Sequence, residues 1–360
     1  MVKKAVGVLG AAALGLLLTA VPARASTSHV IWVKPGVGTI SAAVAAASPG
    51  DTLRLKVGVY RDSVTIEKTL TIQGSGRGSV LVPPAHPVTN DCNSLTGAQE
   101  GICALGGVDA TGNPDLSRRL KNVHVSSLYV HGFSDTGVLG FNTAGFKVSW
   151  VRSDHNGGYG IARFVSINST YEHNSVSYND EAGLYMGDSP NANSVIKDNE
   201  ADHNGFGIFL RDSSFQTAEG NKVWANCIGI LALNTTGGGT PAADVGNYTI
   251  TDNLVWANNK ACPAGEGGPA LSGIGVALAS VKDTVVKDNL IVGNRPGGDT
   301  FASGGVVVVD VSNFAPSGNE IIGNFMARNQ PADIVTDGSD LTLTIKRNVC
   351  RSLANHHCTA

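Results

Sequence analysis

The stretch "NGFGIFLRDSS", residues 204–214, is repeated along the chain in variant form. Related segments read "NGGYGIARFVS" (156–166), "NDEAGLYMGDS" (179–189) and "NCIGILALNTT" (226–236). Each segment begins with Asn, passes a Gly and enters a short apolar run. The chain therefore contains an internal repeat, and a repeat of fixed period indicates a solenoid.

Pairs of Asn residues five apart measure the period of this repeat. The second Asn of each pair advances along the chain by 25, 22, 32, 36 and 35 residues, and Asn156 precedes Asn179 by 23. The base period is therefore 22–25 residues, and three later turns carry insertions of roughly ten residues. The pairs are Asn174/Asn179, Asn199/Asn204, Asn221/Asn226, Asn253/Asn258, Asn289/Asn294 and Asn324/Asn329.

The segments within one period are too short for helices. They are four to six residues long, rich in Val and Ile, and separated by Gly, Asn or Asp, as in "GVVVVDV" (305–311) and "LTLTIKRN" (341–348). Short strands joined by turns predict an all-β fold in which each repeat is one coil of a parallel β-helix of about ten coils. Stacking would place equivalent residues roughly 4.8 Å apart.

The recurring Asn fits the corners of such coils. Asn tolerates left-handed backbone angles, and its side-chain amide can bond to its copy one coil away. We expect an internal ladder of stacked Asn side chains. The alternative, a groove of Asn side chains that binds sugar, stays open from the sequence alone.

The N-terminal residues have the pattern of a secretory signal peptide. A basic "MVKK" precedes the apolar "AVGVLGAAALGLLLTAVP", and "ARA" (23–25) resembles a cleavage site. We expect residues 1–25 to be removed and the protein to be secreted, without a membrane anchor. We divide the rest into an N-terminal cap with first coils (26–118), β-helix repeats (119–350) and a C-terminal tail (351–360).

The first coils carry a resemblance to a known family. "GTISAAVAAASPGD" (38–51) predicts an Ala-rich helix with a Thr N-cap and a Pro-Gly stop, placed to cover the exposed N-terminal edge of the solenoid. The stretch 39–76 resembles the opening of pectin-lyase-like right-handed parallel β-helix proteins. "GIFLRDSS" (207–214) is similar to the repeats of NosD-type β-helices and alginate epimerases. The resemblance implies a right-handed β-helix, a fold that carries many activities.

Charge and cysteine content limit the function further. The net charge of −3 argues against nucleic acid as a partner, because nucleic-acid binding needs a basic face. Six cysteines in an exported chain favour disulfides. Local pairing predicts Cys92–Cys103, Cys227–Cys262 and Cys350–Cys358, the second joining equivalent corners of adjacent coils. We expect a monomer.

Aligning the coils on the Gly before each apolar run predicts which side chains point inward. The residue after this Gly is Ile161, Leu184, Ile208, Ile230, Val276 or Val306, and we expect these side chains in the core. The following column is predicted to face outward, and its members are Ala162, Tyr185, Phe209, Leu231, Ala277 and Val307.

One outer face therefore concentrates polar and aromatic side chains. Tyr185, Arg211 and Arg163 are candidate catalytic residues, although alternation would point Arg163 inward, where an unpaired charge is costly. We expect a register shift there, or that Arg163 leaves the core to meet a carboxylate. Aromatic faces suit sugar rings and Arg suits uronate carboxylates. A simple surface row of ion pairs is the alternative. The candidate substrate-binding residues are Glu181, Asp188, Phe209 and Asp212.

A second candidate cluster lies at the corner before the Asn column. His155 and His203 could act as bases and Tyr178 as an acid, with Asp154 and Asp202 beside the histidines. The two histidines are two coils apart, roughly 10 Å. A solvated polar corner is the alternative.

These features favour binding, and modification, of an acidic polysaccharide by a lyase- or epimerase-type reaction. Such a reaction needs a base, an acid and a group that neutralises the uronate carboxylate, either an Arg or a carboxylate-bound Ca²⁺. No other cofactor and no metal-binding motif is expected. The rival hypothesis is a non-catalytic cell-envelope or adhesion module. Copper delivery has the least support, because the mature chain has two Met residues, Met186 and Met326, and no Met/His cluster.

Overall fold

The chain folds into a solenoid of stacked coils with three long parallel sheets. The computed structural model describes residues 28–237, 240–265, 268–352 and 358. The predicted signal peptide (1–25) lies outside the described residues. Strand pairing is parallel throughout the three sheets, and each strand pairs with its equivalent one coil away. The predicted parallel β-helix is confirmed, and its first strand begins at Val30, within the segment (26–118) expected to hold the cap and first coils.

Sheets A and B each contain twelve strands and meet along one corner. The strands of sheet A are Val30–Val33, Thr52–Leu55, Thr71–Gln73, His124–Ser126, Lys147–Ser149, Thr170–Glu172, Ser194–Lys197, Gln216–Glu219, Thr249–Thr251, Val285–Lys287, Glu320–Ile322 and Thr344–Lys346. Those of sheet B are Gly36–Val37, Gly58–Arg61, Ser79–Val82, Tyr129–His131, Arg152–Asp154, Ser175–Ser177, Glu200–Asp202, Lys222–Trp224, Leu254–Trp256, Leu290–Val292, Phe325–Ala327 and Val349–Cys350.

Sheet C contains ten strands and carries the repeated segment with which the sequence analysis began. Its strands are Val64–Ile66, Ile102–Leu105, Val138–Phe141, Ile161–Phe164, Ala182–Gly187, Phe206–Arg211, Ile228–Leu233, Ile274–Ala279, Gly304–Val309 and Ile334–Thr336. A short pair, Leu120–Lys121 with Thr143–Ala144, lies beside the main sheets. Three short 3₁₀ helices cover Gly76–Gly78, Leu116–Arg118 and Ala242–Asp244.

The core is a column of apolar side chains inside the coils. The predicted inward residues of sheet C pair in register from coil to coil, as in Leu184 with Ile208 and Ile208 with Ile230. All six are fully buried in one continuous cluster, which confirms the alignment. Burial of each such side chain stabilises the fold by roughly 1.5–3 kcal/mol.

Two ladders of buried Asn side chains run along the coils. In each ladder Nδ2 of one Asn donates to Oδ1 of the Asn in the next coil, at distances of 2.8–3.2 Å. The backbone N–H of the same Asn donates to that oxygen as well, as Asn179 does to Asn204 at 3.0 Å. The ladder prediction is therefore correct, and the side-chain amides hydrogen-bond to one another.

The left-handed backbone lies one residue earlier than expected. Positive φ angles occur at the residue before each ladder Asn, for example at Tyr178 (φ 55°) and His203 (φ 58°), and not at Asn179 or Asn204. The Asn is therefore selected for its inward-pointing amide. The corner angle falls on its neighbour, whose side chain projects outward.

An N-terminal helix, α1, covers Thr39–Ala46 and buries Ile40 and Val44 in the core. The expected Thr cap is wrong, because Gly38 occupies the cap position with φ 66°. The free N–H groups of Ile40 and Ser41 donate instead to Asp62 Oδ2, at 3.0 and 2.9 Å. This satisfies donors that a helix start leaves unpaired. That α1 protects the end of the solenoid stays a prediction.

The structure contains the three disulfides expected from local pairing. Cys92–Cys103 ties a second helix, α2 (Asp91–Thr96), to sheet C, with Cα atoms 6.4 Å apart. Cys227–Cys262, 5.9 Å apart, joins adjacent coils just past Asn226 and Asn258. Cys350–Cys358 is the third pair, with 6.1 Å between Cα atoms. Within the described residues, neither helix has the length and apolarity needed to cross a membrane.

Candidate functional site

The outer face of sheet C is covered by a second apolar cluster, separate from the core. The column that we expected to face outward does point away from the coil interior, but it is not exposed. Tyr185 is fully buried and Phe209 nearly so, because neighbouring side chains cover them. Their ring centroids lie 5.3 Å apart in an edge-to-face contact, and Phe164 lies 4.6 Å from Tyr185. The expectation of an open aromatic face is therefore wrong at these two positions.

Two tyrosine–carboxyl pairs lie on this face. Tyr159 Oη donates to Glu181 Oε1 at 2.6 Å, and Tyr185 Oη donates to Asp188 Oδ2 at 3.1 Å. The two tyrosine rings are 4.8 Å apart. Gly187 makes the second pair feasible, because a Cβ on this residue would lie 2.0 Å from the Tyr185 hydroxyl. The pairs therefore occupy neighbouring coils of one surface.

Arg211 lies at the end of the next strand and brings a positive charge to the same face. Its Nε donates to Asp212 Oδ2 at 3.1 Å, and its side chain is 34% exposed. Asp212 is buried and is fixed by Thr235, whose N–H and hydroxyl donate to it at 2.7 and 2.5 Å. Asp212 therefore holds Arg211 in place and cannot itself contact a ligand, contrary to the sequence prediction.

The charged groups of this surface shift one another's pKa values. Burial lowers the pKa of Arg211, but the acidic groups of Tyr185, Asp188 and Asp212 outweigh it and raise the pKa above its ordinary value. Burial raises the pKa of Asp188, against the opposing effect of Arg211. Burial also raises the pKa of Glu181, and Asp135 adds to that shift. Both carboxyls therefore titrate closer to neutral pH than exposed ones do, as carboxyls at functional sites commonly do.

We call Tyr159, Glu181, Tyr185, Asp188 and Arg211 the sheet C site. Arg211 influences the ionisation of each of the other four groups. Burial and Glu181 raise the pKa of Tyr159 far above its ordinary value, so this phenol stays protonated. The arrangement offers a partly exposed guanidinium and two partly accessible carboxyls, each of which accepts a hydrogen bond from a buried tyrosine hydroxyl.

Arg163 does not belong to the sheet C site. It pairs in register with Met186, so the strand keeps its alternation and the side chain points into the core, where it is completely buried. One nitrogen, Nη1, donates to Gly187 O at 2.9 Å and Ser189 Oγ at 2.7 Å. Nε and Nη2 have no hydrogen-bond partner among the described residues. Burial lowers the Arg163 pKa to about 10. Both expectations for Arg163 are wrong. The strand has no register shift, and the side chain stays in the core without meeting a carboxylate.

The corner cluster forms a stack of rings, as its spacing suggested. The ring centroids of His155 and Tyr178 are 5.0 Å apart, and those of Tyr178 and His203 are 4.6 Å apart. Each histidine Nδ1 contacts the Asp before it, at 3.1 Å for Asp154 and 2.6 Å for Asp202. No hydrogen bond or ion pair in the described part of the chain links these rings to the sheet C site. Their catalytic role stays a prediction.

The sequence prediction missed Tyr159. The signal was present, because Tyr159 occupies the position just before the aligned Gly, a column shared with Ala182, Phe206 and Ile228. The described residues contain no group of three or more His, Cys, Asp and Glu side chains placed to bind a metal. A carboxylate cage for Ca²⁺ is therefore not supported by this donor set, and Arg211 is the candidate for the neutralising charge.

The family comparison agrees with this architecture. Two overlapping segments, residues 56–241 and 136–350, match the family described as "Right handed beta helix region". The chain belongs to this family. The helical sense predicted from the sequence resemblance is therefore correct. None of the curated proteins matches the sequence significantly.

Solved structures with a similar fold have low sequence identity to this β-helix protein. The A-module of a mannuronan C-5 epimerase from Azotobacter vinelandii has 16% identity and a TM-score of 0.57, covering 88% of this chain and 90% of that one. An alginate lyase from Paenibacillus sp. has 14% identity and a TM-score of 0.56, covering 88% and 99%. The Dettilon tailspike protein has 16% identity and a TM-score of 0.54, covering 89% and 66%. At these identities the likeness shows the fold alone.

Proposed function

We propose that this β-helix protein binds an acidic polysaccharide at the sheet C site and acts on its uronate units by a lyase- or epimerase-type reaction. The observation that carries the proposal is the position of Arg211. Only its Nε has a protein partner among the described residues, so both Nη atoms can pair with a ligand carboxylate. Two tyrosine–carboxyl pairs flank this guanidinium.

The reaction type follows from the groups beside Arg211. Breaking the C–H bond next to a uronate carboxyl moves an electron pair toward that carboxyl group, and a guanidinium stabilises the charge that develops there. Glu181 accepts the proton, because burial brings its pKa closer to neutral pH. In a lyase the C–O bond to the leaving sugar then breaks, a C=C bond forms, and Glu181 passes its proton to the departing oxygen. In an epimerase water donates a proton to the opposite face of the same carbon, and Glu181 then releases its proton to solvent.

Tyr159 positions Glu181 in this proposal and does not touch the substrate, because its side chain is buried. Its hydroxyl donates to Glu181 at 2.6 Å, and its raised pKa keeps it protonated. It therefore holds the carboxyl in place while Glu181 accepts the proton. Tyr185 and Asp188 support the floor of the site, because Tyr185 is buried and cannot touch the substrate.

Similar solved structures support a glycan as the partner. Their printed names include a mannuronan C-5 epimerase and an alginate lyase, which are carbohydrate-acting proteins. The three disulfides are consistent with the proposed secretion, since disulfides persist in oxidising compartments. We propose that the secreted chain works as a monomer.

A second candidate function is binding without chemistry, as in a cell-envelope or adhesion module. The specific observation in its favour is that the candidate histidines, His155 and His203, have no contact with Arg211 in the described part of the chain. The site then has no imidazole base, which leaves Glu181 as the proton acceptor. Binding and catalysis are separable by experiment.

The test is a screen of uronic-acid polysaccharides in deuterated water. A lyase removes the proton next to the carboxyl and yields unsaturated products that absorb ultraviolet light, whereas an epimerase replaces that proton by deuterium, which NMR detects. Arg211→Ala should abolish both signals and weaken binding to acidic glycans more than to neutral ones. Glu181→Gln should abolish both signals but retain binding.

A matched control is Arg54→Ala, which removes an exposed arginine from sheet A. This variant should behave like the wild type. Binding without unsaturated products and without deuterium incorporation would favour the adhesion module. Failure to bind any acidic glycan, or equal losses in the two arginine variants, would refute the proposed function.

A further inference from the structure

A cleft on the corner between sheets A and B lies apart from the sheet C site. Its volume is about 360 Å³, and its lining includes Arg77, Trp150, Arg152, His173, Asp198 and Glu200. Trp150, His173 and Asp198 occupy the same corner position in three successive coils. The cleft therefore runs along the solenoid axis.

Trp150 presents one free ring face to this cleft. Its other face stacks on His173, with centroids 4.4 Å apart and planes inclined by 25°. At the same corner of the preceding coil stands Ser127, whose N–H bonds to Ser149 O beside Trp150. A serine is too small to cover an indole, and Trp150 remains 62% exposed. In the row of rings at the sheet B corner, by contrast, Tyr178 is stacked between His155 and His203.

Charges of opposite sign line this cleft on either side of the Trp150–His173 stack. Arg77 has no ion pair or hydrogen bond in the described part of the chain, and it follows the tight turn at Gly76. Arg152, in contrast, is held by Asp154 at 2.7 Å and lies over the ring of Tyr129. Asp198 lies one coil beyond His173, on the side away from Trp150, and its side chain makes no ion pair or hydrogen bond among the described residues. A cation and a carboxylate are therefore both unengaged.

We propose that this cleft is a second glycan-binding site, which holds a uronate-containing segment with one sugar ring on Trp150. The apolar face of a pyranose fits an open indole, Arg77 pairs with the uronate carboxylate, and Asp198 accepts hydrogen bonds from hydroxyls. From Ser127 to Asp198 the corner spans three strand spacings, roughly 14 Å, which accommodates more than one sugar unit. The choice of a glycan rests on the proposed function, whereas the site itself does not.

The experiment measures binding of a uronic-acid oligosaccharide and of its carboxyl-reduced, neutral counterpart by calorimetry. It is done in the Arg211→Ala background, which disables the sheet C site. Adding Trp150→Ala should weaken binding of both ligands by about tenfold or more, because stacking does not depend on charge. Adding Arg77→Ala should weaken binding of the acidic ligand only. Arg77 is exposed and unpartnered, so this variant keeps the fold.

The matched control is Trp224→Ala. Trp224 also belongs to a stacked pair, with Trp256 at 4.7 Å, but it lies outside this cleft. It should leave binding unchanged.

Three results would overturn the inference: loss of all binding in Arg211→Ala alone, wild-type affinity after Trp150→Ala, or equal weakening by Trp224→Ala. Full binding by Arg211→Ala that Trp150→Ala then removes would instead refute the sheet C site and support this cleft.

Discussion

Replacing Asn204 by Ala tests whether the Asn ladder carries stability. The side chain makes four hydrogen bonds inside the solenoid. Its Oδ1 accepts from the backbone N–H and Nδ2 of Asn179 at 3.0 and 2.9 Å, and its Nδ2 donates to Asn226 Oδ1 and Val176 O at 3.2 Å. The site is fully buried, so water cannot replace the missing partner.

The expected loss follows from these four bonds. Each contributes about 0.5–1.5 kcal/mol net, so Asn204→Ala should lower the free energy of unfolding by about 4 kcal/mol. Asn204→Asp should cost at least as much, because it places a carboxylate beside Asn226 Oδ1 and Val176 O, which are both acceptors. The backbone is not strained by either change, since Asn204 has no positive φ.

The assay is guanidinium denaturation followed by circular dichroism, with Asn113→Ala as the control. Asn113 is exposed and makes one side-chain bond as a donor, to Thr111 Oγ1 at 2.8 Å. The control should change stability by less than about 0.5 kcal/mol. A loss below about 1 kcal/mol for Asn204→Ala, or equal losses for both variants, would show that the ladder is not the stabilising element.

Two more substitutions test buried charges. Burial and then Asp135 raise the Glu100 pKa from 4.5 to about 7, so the folded state holds an extra proton between these values. Stability should therefore fall by up to about 3 kcal/mol as pH rises through that window, and Glu100→Gln should remove this fall; an unchanged pH slope in the variant would contradict the assignment. Arg163→Met should raise the free energy of unfolding by roughly 1–3 kcal/mol, because two guanidinium nitrogens lack partners and Met186 already occupies the adjacent position of the same column. Thermal denaturation measures this change, and a lower melting temperature for the variant would show that the core needs the charge.

The solenoid could be predicted from the sequence because residues one repeat apart in the sequence pair with each other in the sheet. The sequence period therefore gives the strand register directly. Once Asn179, Asn204 and Asn226 are aligned, the inward column follows, and the structure pairs Leu184, Ile208 and Ile230 as the alignment requires. The Cys227–Cys262 pair follows from the same alignment. Nearest-neighbour stacking makes each coil a copy of the last, so one correct register fixes the others.

The outer face was harder to predict, because alternation distinguishes inside from outside but not buried from exposed. Tyr185 points outward and is nevertheless buried, since its ring folds over Gly187 and packs against Phe164. Asp212 is buried by its contacts with Thr235. These contacts depend on the exact packing of neighbouring side chains, which a one-dimensional alignment does not contain.

The fold separates the residues that hold the coils together from the residues that vary between coils. The Asn ladders continue through many coils, whereas the column of Arg211 reads Phe164, Gly187, Arg211, Leu233 and Ala279. A charge occurs once in this column, at the coil next to both tyrosine–carboxyl pairs. The repeats that carry Tyr159, Tyr185 and Arg211 therefore form the sheet C site, and repeats with apolar residues at these positions extend the scaffold. The side-chain amides of the ladders hydrogen-bond to one another inside the coils, so they are not available to bind a ligand. Ligand recognition must therefore use outward-pointing side chains such as Arg211 and Trp150.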